Sequence, residues 1–263
     1  MTDAAHSELI RDQFTRQATP FSTAAPIADA GALKLIVDAA RAGPEDEVLD
    51  VACGGGIVVC AFAPHVRHAT GIDMTPAMLE RARALAAEKG VANVTWREGD
   101  VEHLPFPDAS FSIVATRFAV HHFLRPEAVF AEMVRVCRPG GRIVVVDTCA
   151  SPDPRKAAEF NRLEKLRDPS HARCLSLDEL KWLYRAAGLG EPRASSYELR
   201  DEVQTAGALV PEPGRRTEDH RFVRRLDRGR RPRHSGAPRR RPHRIRLSGR
   251  DPRRRPALIR RIP

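Results

Sequence analysis

The chain has 263 residues, 44 Lys and Arg against 34 Asp and Glu, and a formal net charge of +10. That length suits one or two domains with a full core, and 42% hydrophobic residues argue against wholesale disorder. A charge of +10 would ordinarily point to nucleic acid or an anionic membrane, but it is unevenly spread: residues 211–263 carry 20 Arg, no Lys and 5 acids, so they hold +15 and residues 1–210 hold −5.

From Glu47 onward, short apolar runs alternate with helical stretches. Val48–Val51 reads as a strand that ends in Gly54-Gly55-Gly56, and Ile57–Ala63 as a helix stopped near Pro64. Ala69–Ile72 is a second strand, ending at Asp73. Pro76 opens a helix that runs to Lys89, with Gly90 as its stop. Asn93–Trp96 and Phe111–Thr116 are strands three and four. A helix over Pro126–Cys137 halts at the turn Pro139-Gly140-Gly141, and Ile143–Asp147 is the fifth strand. Residues 178–188 form one more capped helix. Strands alternating with helices imply βαβ crossovers and an α/β, Rossmann-like, doubly wound and mostly parallel sheet with helices on both faces. Ligands of such sheets sit beyond the carboxyl ends of the strands, which directs attention to Asp50–Gly56, Asp73, Asp100, Thr116–His122 and Asp147.

Glycines 54–56 let backbone approach a ligand closely. Asp73, at the next strand end, suits a ribose diol. That pair alone is equally compatible with a dinucleotide site, but Asp50-Val51-Ala52-Cys53-Gly54-Gly55-Gly56 is not G-x-G-x-x-G and has no P-loop lysine. Asp50 would disfavour a pyrophosphate and favour a cationic group. Asp100 can accept from an adenine amine, with Val101 packed on the ring. An ammonium, a ribose diol and an adenine without phosphate together describe S-adenosylmethionine.

The stretch Val48–Gly56 resembles motif I of class I S-adenosylmethionine-dependent methyltransferases. Gly71-Ile72-Asp73-Met74, Gly99-Asp100-Val101-Glu102, Leu104-Pro105-Phe106, Ala119-Val120-His121-His122-Phe123 and Arg135–Gly141 resemble the motifs that follow, in order, over residues 45–147. The nearest branch is the UbiE/COQ5-like one (methyltransferase type 11), which includes quinone C-methyltransferases. The resemblance implies a small-molecule methyl acceptor, phenolic or quinone-like, methylated on carbon or oxygen. It implies cofactor contacts from Phe14, Gln17, Asp50, Ala52, Cys53, Gly54, Gly56, Asp73, Met74, Asp100, Val101 and Arg117. Phe14-Thr15-Arg16-Gln17-Ala18 is similar to that branch's cap, with closure expected around Phe14, Gln17 and Phe21. His121 and His122 are the candidate catalytic bases. Arg117 is also a candidate to orient the acceptor, and His171 and Arg173 fall where the family builds its acceptor pocket. Two positions depart from the family pattern: Ala52 stands where Gly is usual, and Ser112 where Asp is usual.

The expected divisions are a helical cap over residues 1–44, a methyltransferase domain over 45–205 and an Arg/Pro-rich tail over 206–263. The tail cannot bury a core as written, and the last two strands of the fold are expected to be missing or disordered. Two readings compete for it: a nucleic-acid-binding arm, or a reading-frame error, since Arg244–Pro252 can be encoded so that the next frame carries an apolar, strand-like peptide. Nucleic acid is disfavoured as a partner because the stretch after strand four, Thr116-Arg117-Phe118-Ala119, lacks the aromatic motif used on base amines. Five cysteines without CxxC or a Cys/His cluster suggest neither disulfides nor a metal site. The absence of an apolar run or signal-like start leaves the cytoplasm as the expected compartment.

Overall fold

A computed structural model describes residues 3–23, 27–198 and 254–261. Two helices come first, α1 (Asp3–Thr23) and α2 (Ala30–Ala40). The alternation then runs β1 (Glu47–Val51), α3 (Ile57–Phe62), β2 (His68–Asp73), α4 (Pro76–Glu88), β3 (Val94–Glu98), β4 (Phe111–Arg117), α5 (Pro126–Val136) and β5 (Cys137–Val146). Helices α6 (Pro154–Arg167) and α7 (Leu177–Ala186) precede β6 (Arg193–Glu198) and β7 (Arg254–Arg261). The strands form one sheet in the order β3-β2-β1-β4-β5-β7-β6. Strands β1 to β5 pair in parallel, and β7 runs antiparallel between β5 and β6. Among the described residues no helix is long and apolar enough to cross a membrane.

Side chains on a strand alternate between faces, and here the alternation builds two cores. Leu49 and Val51 of β1, Val114 of β4, and Ile143 and Val145 of β5 pack with α5 and α7 on one face. Val48, Ile113, Ala115, Val144 and Val146 pack with α2 and α3 on the other. Strands buried on both faces read as unbroken apolar runs, which is why β1, β4 and β5 are legible in the sequence. Thr116 Oγ1 donates to the Val51 carbonyl (2.8 Å) and ties β4 to β1 from within. At the other end of the pair, Ser112 Oγ accepts from Glu47 N (2.9 Å). The departure from Asp at Ser112 therefore leaves a strand-bridging hydroxyl in place.

Two differences from the sequence reading stand out. First, the expected loss of the final strands is corrected. Residues 193–198 and 254–261 complete a seven-stranded sheet, with Val144 opposite Ile259 and Ala194 opposite Leu258. Composition averaged over an Arg/Pro-rich tail hid the short run Pro256-Ala257-Leu258-Ile259, and an open β5 edge supplies hydrogen bonds that local propensity does not. Residues 199–253, where the rest of the tail and frame-error readings fall, lie outside the described residues. Second, strand β5 starts at Cys137 and takes in the predicted Pro139–Gly141 turn. The pairing shifts between Phe111 opposite Cys137 and Ile113 opposite Arg142, so the chain bulges there, with Gly140 at φ +76°.

The β1–α3 turn lies against β2 and β3 because two glycines leave room for Trp96. A Cβ on Gly56 would come within 2.5 Å of the Trp96 ring, and one on Gly71 within 2.8 Å. Gly56 also has φ +78°. Gly56→Ala therefore combines left-handed strain with overpacking and should cost about 3 kcal/mol, lowering Tm by roughly 10 °C. Gly90→Ala, at φ +64° with open space around the added methyl, should cost only about 1 kcal/mol. Thermal melts of the two variants by circular dichroism check the ranking; equal losses would show that Trp96 yields.

Candidate active site

The turn after β1 is held by the strand beside it. Cys53 N donates to the Ile72 carbonyl (2.9 Å). Gly54 N donates to Asp73 Oδ2 (2.8 Å), while Asp73 Oδ1 accepts from Thr75 N (2.9 Å). One buried carboxylate thus joins the turn after β1 to the start of α4. Burial raises the Asp73 carboxyl above its ordinary range, and the backbone donors at Thr75 and Gly54 oppose that rise by favouring the charged form. Ala52 adopts φ +56°. Its extra methyl is therefore a matter of backbone strain, on the order of 1 kcal/mol for a non-glycine residue, as well as of space.

A cavity of about 210 Å³ opens at the carboxyl ends of the strands. The end of β1 contributes Asp50 to its wall, and the turn after it Ala52, Cys53 and Gly54. Asp73 and Met74 follow from β2, and Asp100 and Val101 from β3. Arg117, Phe118 and His122 come from the end of β4, and Phe14 from α1. Gln17 is buried but is not part of the wall, and neither are Gly56 or His121. Phe21 falls in α1, with its side chain outside the described residues. Asp100 is exposed at the rim, where its Oδ1 accepts from Glu102 N (2.9 Å). Sequence reasoning missed Asp3, His6, Ser7 and Ile10, which line the cavity with Phe14. Their spacing at 3, 6, 7, 10 and 14 is one face of a helix, a signal that was available but that the polar start of the chain obscured.

Two charged side chains in this wall are incompletely satisfied. Asp50 is 1% exposed, and its Oδ1 has no hydrogen-bond partner among the described residues. Burial pushes its carboxyl well above the usual range, with Arg117 pulling it back. Arg117 is buried too. Its Nη1 donates to the Ile27 carbonyl (2.8 Å), and its guanidinium lies 4.2 Å from the centre of the Phe118 ring. Its Nε and Nη2 are without partners among the described residues. Phe118 holds φ +56°, an uncommon conformation for an aromatic residue, and is fixed there by its N–H bond to the Val146 carbonyl (2.8 Å). Orphaned buried polar atoms are rare and costly, and three such atoms in one cavity wall mark a place shaped for a polar ligand.

His121, His122 and His171 form a polar cluster, with His122 in the wall and the other two behind it. His121 Nδ1 lies 2.5 Å from Asp147 Oδ1, and its backbone N donates to Asp147 Oδ2 (3.1 Å). His122 Nδ1 faces the Ser170 carbonyl at 3.1 Å, and its ring meets Phe14 edge to face at 5.1 Å. His171 Nε2 contacts Asn161 Oδ1 at 2.9 Å. The backbone N–H groups of Ala172 and Arg173 close the cluster by donating to the His121 carbonyl. The Arg173 side chain turns away to Glu179 (2.7 Å). Burial and the neighbouring His121 ring hold His122 down at about 3, and the same causes hold His171 at about 4. Both stay neutral near pH 7.

At the mouth of the cavity Arg125 bridges Asp3 on α1 (3.1 Å) and Glu102 after β3. All of these histidines and the Arg125 bridge draw α1, the end of β4 and the α6–α7 connection together. A buried neutral histidine makes stability pH-dependent: the unfolded chain binds a proton below about pH 6.5, while the folded one does not until near the depressed value, so stability is lost as pH falls through that window. Relative to His122→Asn, the wild type should lose about 2 kcal/mol more between pH 7 and pH 5. Urea melts of both proteins at the two pH values measure this, and parallel losses would contradict a neutral His122.

A family model described as a methyltransferase domain matches residues 49–145. The uncharacterized methyltransferase YcgJ of Bacillus subtilis is 39% identical over 173 residues, 66% of this chain and 68% of YcgJ. The crystal structure of YcgJ agrees with a TM-score of 0.69 at 28% identity, covering 88% of this chain and 97% of that one. YafE of Escherichia coli is 33% identical over 127 residues, 48% of this chain and 61% of YafE. The fold alone is shared with geranyl diphosphate C-methyltransferase of Streptomyces coelicolor, solved in complex with Mg2+, geranyl diphosphate and S-adenosyl-L-homocysteine. There the TM-score is 0.62 at 14% identity, over 89% of this chain and 78% of that one. Given the sheet order, the cavity at the strand ends and these relatives, the chain belongs to the class I S-adenosylmethionine-dependent methyltransferases.

Proposed function

We propose that the cavity binds S-adenosylmethionine and that the enzyme methylates a small-molecule acceptor, phenolic or quinone-like, on carbon or oxygen, as in the UbiE/COQ5-like branch. The observation that carries this reading is the pair of incompletely hydrogen-bonded side chains, one acidic and one basic, in one wall. Asp50 offers a buried oxygen to an ammonium, and Arg117 offers Nε and Nη2 to a carboxylate. An amino acid end of a ligand supplies both groups at once. Each Asp73 oxygen accepts one backbone N–H, and a carboxylate oxygen keeps a second lone pair for a ribose hydroxyl. Gly54 admits the ligand past a position where a side chain would stand, since a Cβ there would point into open space. Met74 and Val101 flank the place for an adenine ring, with Asp100 at the rim for its amine.

S-adenosylmethionine supplies an electrophilic methyl group on a sulfonium. The chain's own part is alignment and exclusion of water, which is where most of the barrier reduction for such a displacement comes from. Phe14 and the α1 face cover the cavity, and residues 1–44 act as a cap over the domain of 45–205. Of the two histidines after β4, His122 forms part of the wall as a neutral ring, and His121, turned to Asp147, positions it from behind. The reading of a nucleic-acid-associated enzyme rests on the basic tail, and nothing on the described residues favours it.

Calorimetry with S-adenosylhomocysteine tests the site. Arg117→Met and Asp73→Ala should each weaken binding at least about tenfold, the loss of one charge-assisted hydrogen bond. Unchanged affinity in both would sink the assignment. A screen of phenols and quinones with methyl-labelled S-adenosylmethionine tests the acceptor class; transfer only to amines would refute it.

A further inference from the structure

His6 is a residue that neither motif nor family resemblance singles out. It lies on α1, is 3% exposed and lines the cavity. Its Nε2 is 2.7 Å from the His122 carbonyl oxygen. A carbonyl only accepts, so Nε2 carries the hydrogen, and in a neutral imidazole Nδ1 is then the lone-pair nitrogen. That Nδ1 is buried and has no hydrogen-bond partner among the described residues. The fold thus fixes one tautomer through a backbone bond to a residue after β4 and leaves the other nitrogen of this cavity-lining residue without a partner among the described residues. An unsatisfied buried acceptor is costly, and a ligand donor would recover that cost.

On the methyl-transfer reading above, we propose that His6 Nδ1 receives the proton of a hydroxyl on the methyl acceptor, so that the acceptor class is a phenol or enol. The acceptor's oxygen, or the enol's carbon, forms the new bond to the methyl carbon while the carbon–sulfur bond breaks and its electron pair stays on sulfur as a thioether. The O–H proton passes to Nδ1. The positive charge that leaves the sulfonium reappears on the imidazolium, whose Nε2–H stays on the His122 carbonyl. Helix α1 is then part of the acceptor site as well as a cover. The aromatic wall of Phe14, Phe118 and Phe123 suits a planar acceptor. His122 is a weak base, because burial and the neighbouring His121 ring lower its affinity for a proton, and its Nδ1 is committed to Ser170.

Two measurements decide the proposal. In 15N-histidine-labelled protein, His6 should show the Nε2–H tautomer. Its Nδ1 signal should move when 4-nitrophenol, catechol or hydroquinone is added to the S-adenosylhomocysteine complex. An Nδ1–H tautomer in the free protein, or a signal that none of the three probes moves, overturns it. His6→Gln keeps a donor for the His122 carbonyl but removes the basic nitrogen. It should bind S-adenosylhomocysteine within about twofold of the wild type and methylate the best phenol at least about 100-fold more slowly. A rate within about threefold of the wild type also overturns the proposal. Failure of the wild type to bind S-adenosylhomocysteine would count against the methyl-transfer reading instead, and the tautomer of His6 in the free protein is read independently of it.

Discussion

One carboxylate organises the ligand end of this sheet. Asp73 closes β2 and accepts simultaneously from Gly54, in the turn after β1, and from Thr75, at the start of α4. Its position depends on the close approach of backbone to Trp96, which only glycine at 56 and 71 permits. Were the β1–α3 turn pushed outward, Gly54 N would leave Asp73, and the floor of the cavity would lose its shape. The interaction is also electrostatic. Backbone donors favour the charged form of a side chain that burial disfavours, so the loop geometry and the ionisation of Asp73 support each other.

The same logic extends along the strand ends. Asp50 and Arg117 face one cavity, and the guanidinium moderates the cost of burying the carboxylate. Their remaining unpaired atoms are a store of unmet hydrogen bonding, which is the ordinary condition of a binding site before its ligand arrives. Helix α1 brings a fourth such atom, at His6. Exposed ion pairs such as those of Arg125 contribute little by themselves, so the placement of α1 rests more on buried contacts: the Phe14–His122 ring contact and the His6 bond to the His122 carbonyl.

Most of the sheet was legible because its strands are short apolar runs separated by glycine, proline and acids at the turns. The acids at the ends of β1 and β2 and just after β3 were legible for a related reason: few residue types suit a strand end where backbone must turn and a ligand must be held. Less legible were residues whose role is set by a partner far along the chain. Gly56 looks like its neighbour Gly54 in the motif, yet Gly54 borders the cavity and Gly56 packs on Trp96. His121 and His122 are adjacent in sequence, but only His122 reaches the wall. Arg135, read simply as part of a motif, holds the loop after β3 through the Leu104 and Phe106 carbonyls. The last strand was misread because its apolar run is short and sits among arginines.

The sequence by itself determined the two-faced strand pattern, the turn glycines and the acids at the strand ends, since these follow from local backbone freedom and period-two burial. Only the tertiary structure decided which side chains share the cavity, which nitrogen of His6 is left free, and that residues 254–261 pair between β5 and β6. Those outcomes depend on contacts between residues up to more than a hundred positions apart. Local propensity carries no information about them, because the hydrogen-bond partner, not the residue itself, sets the result.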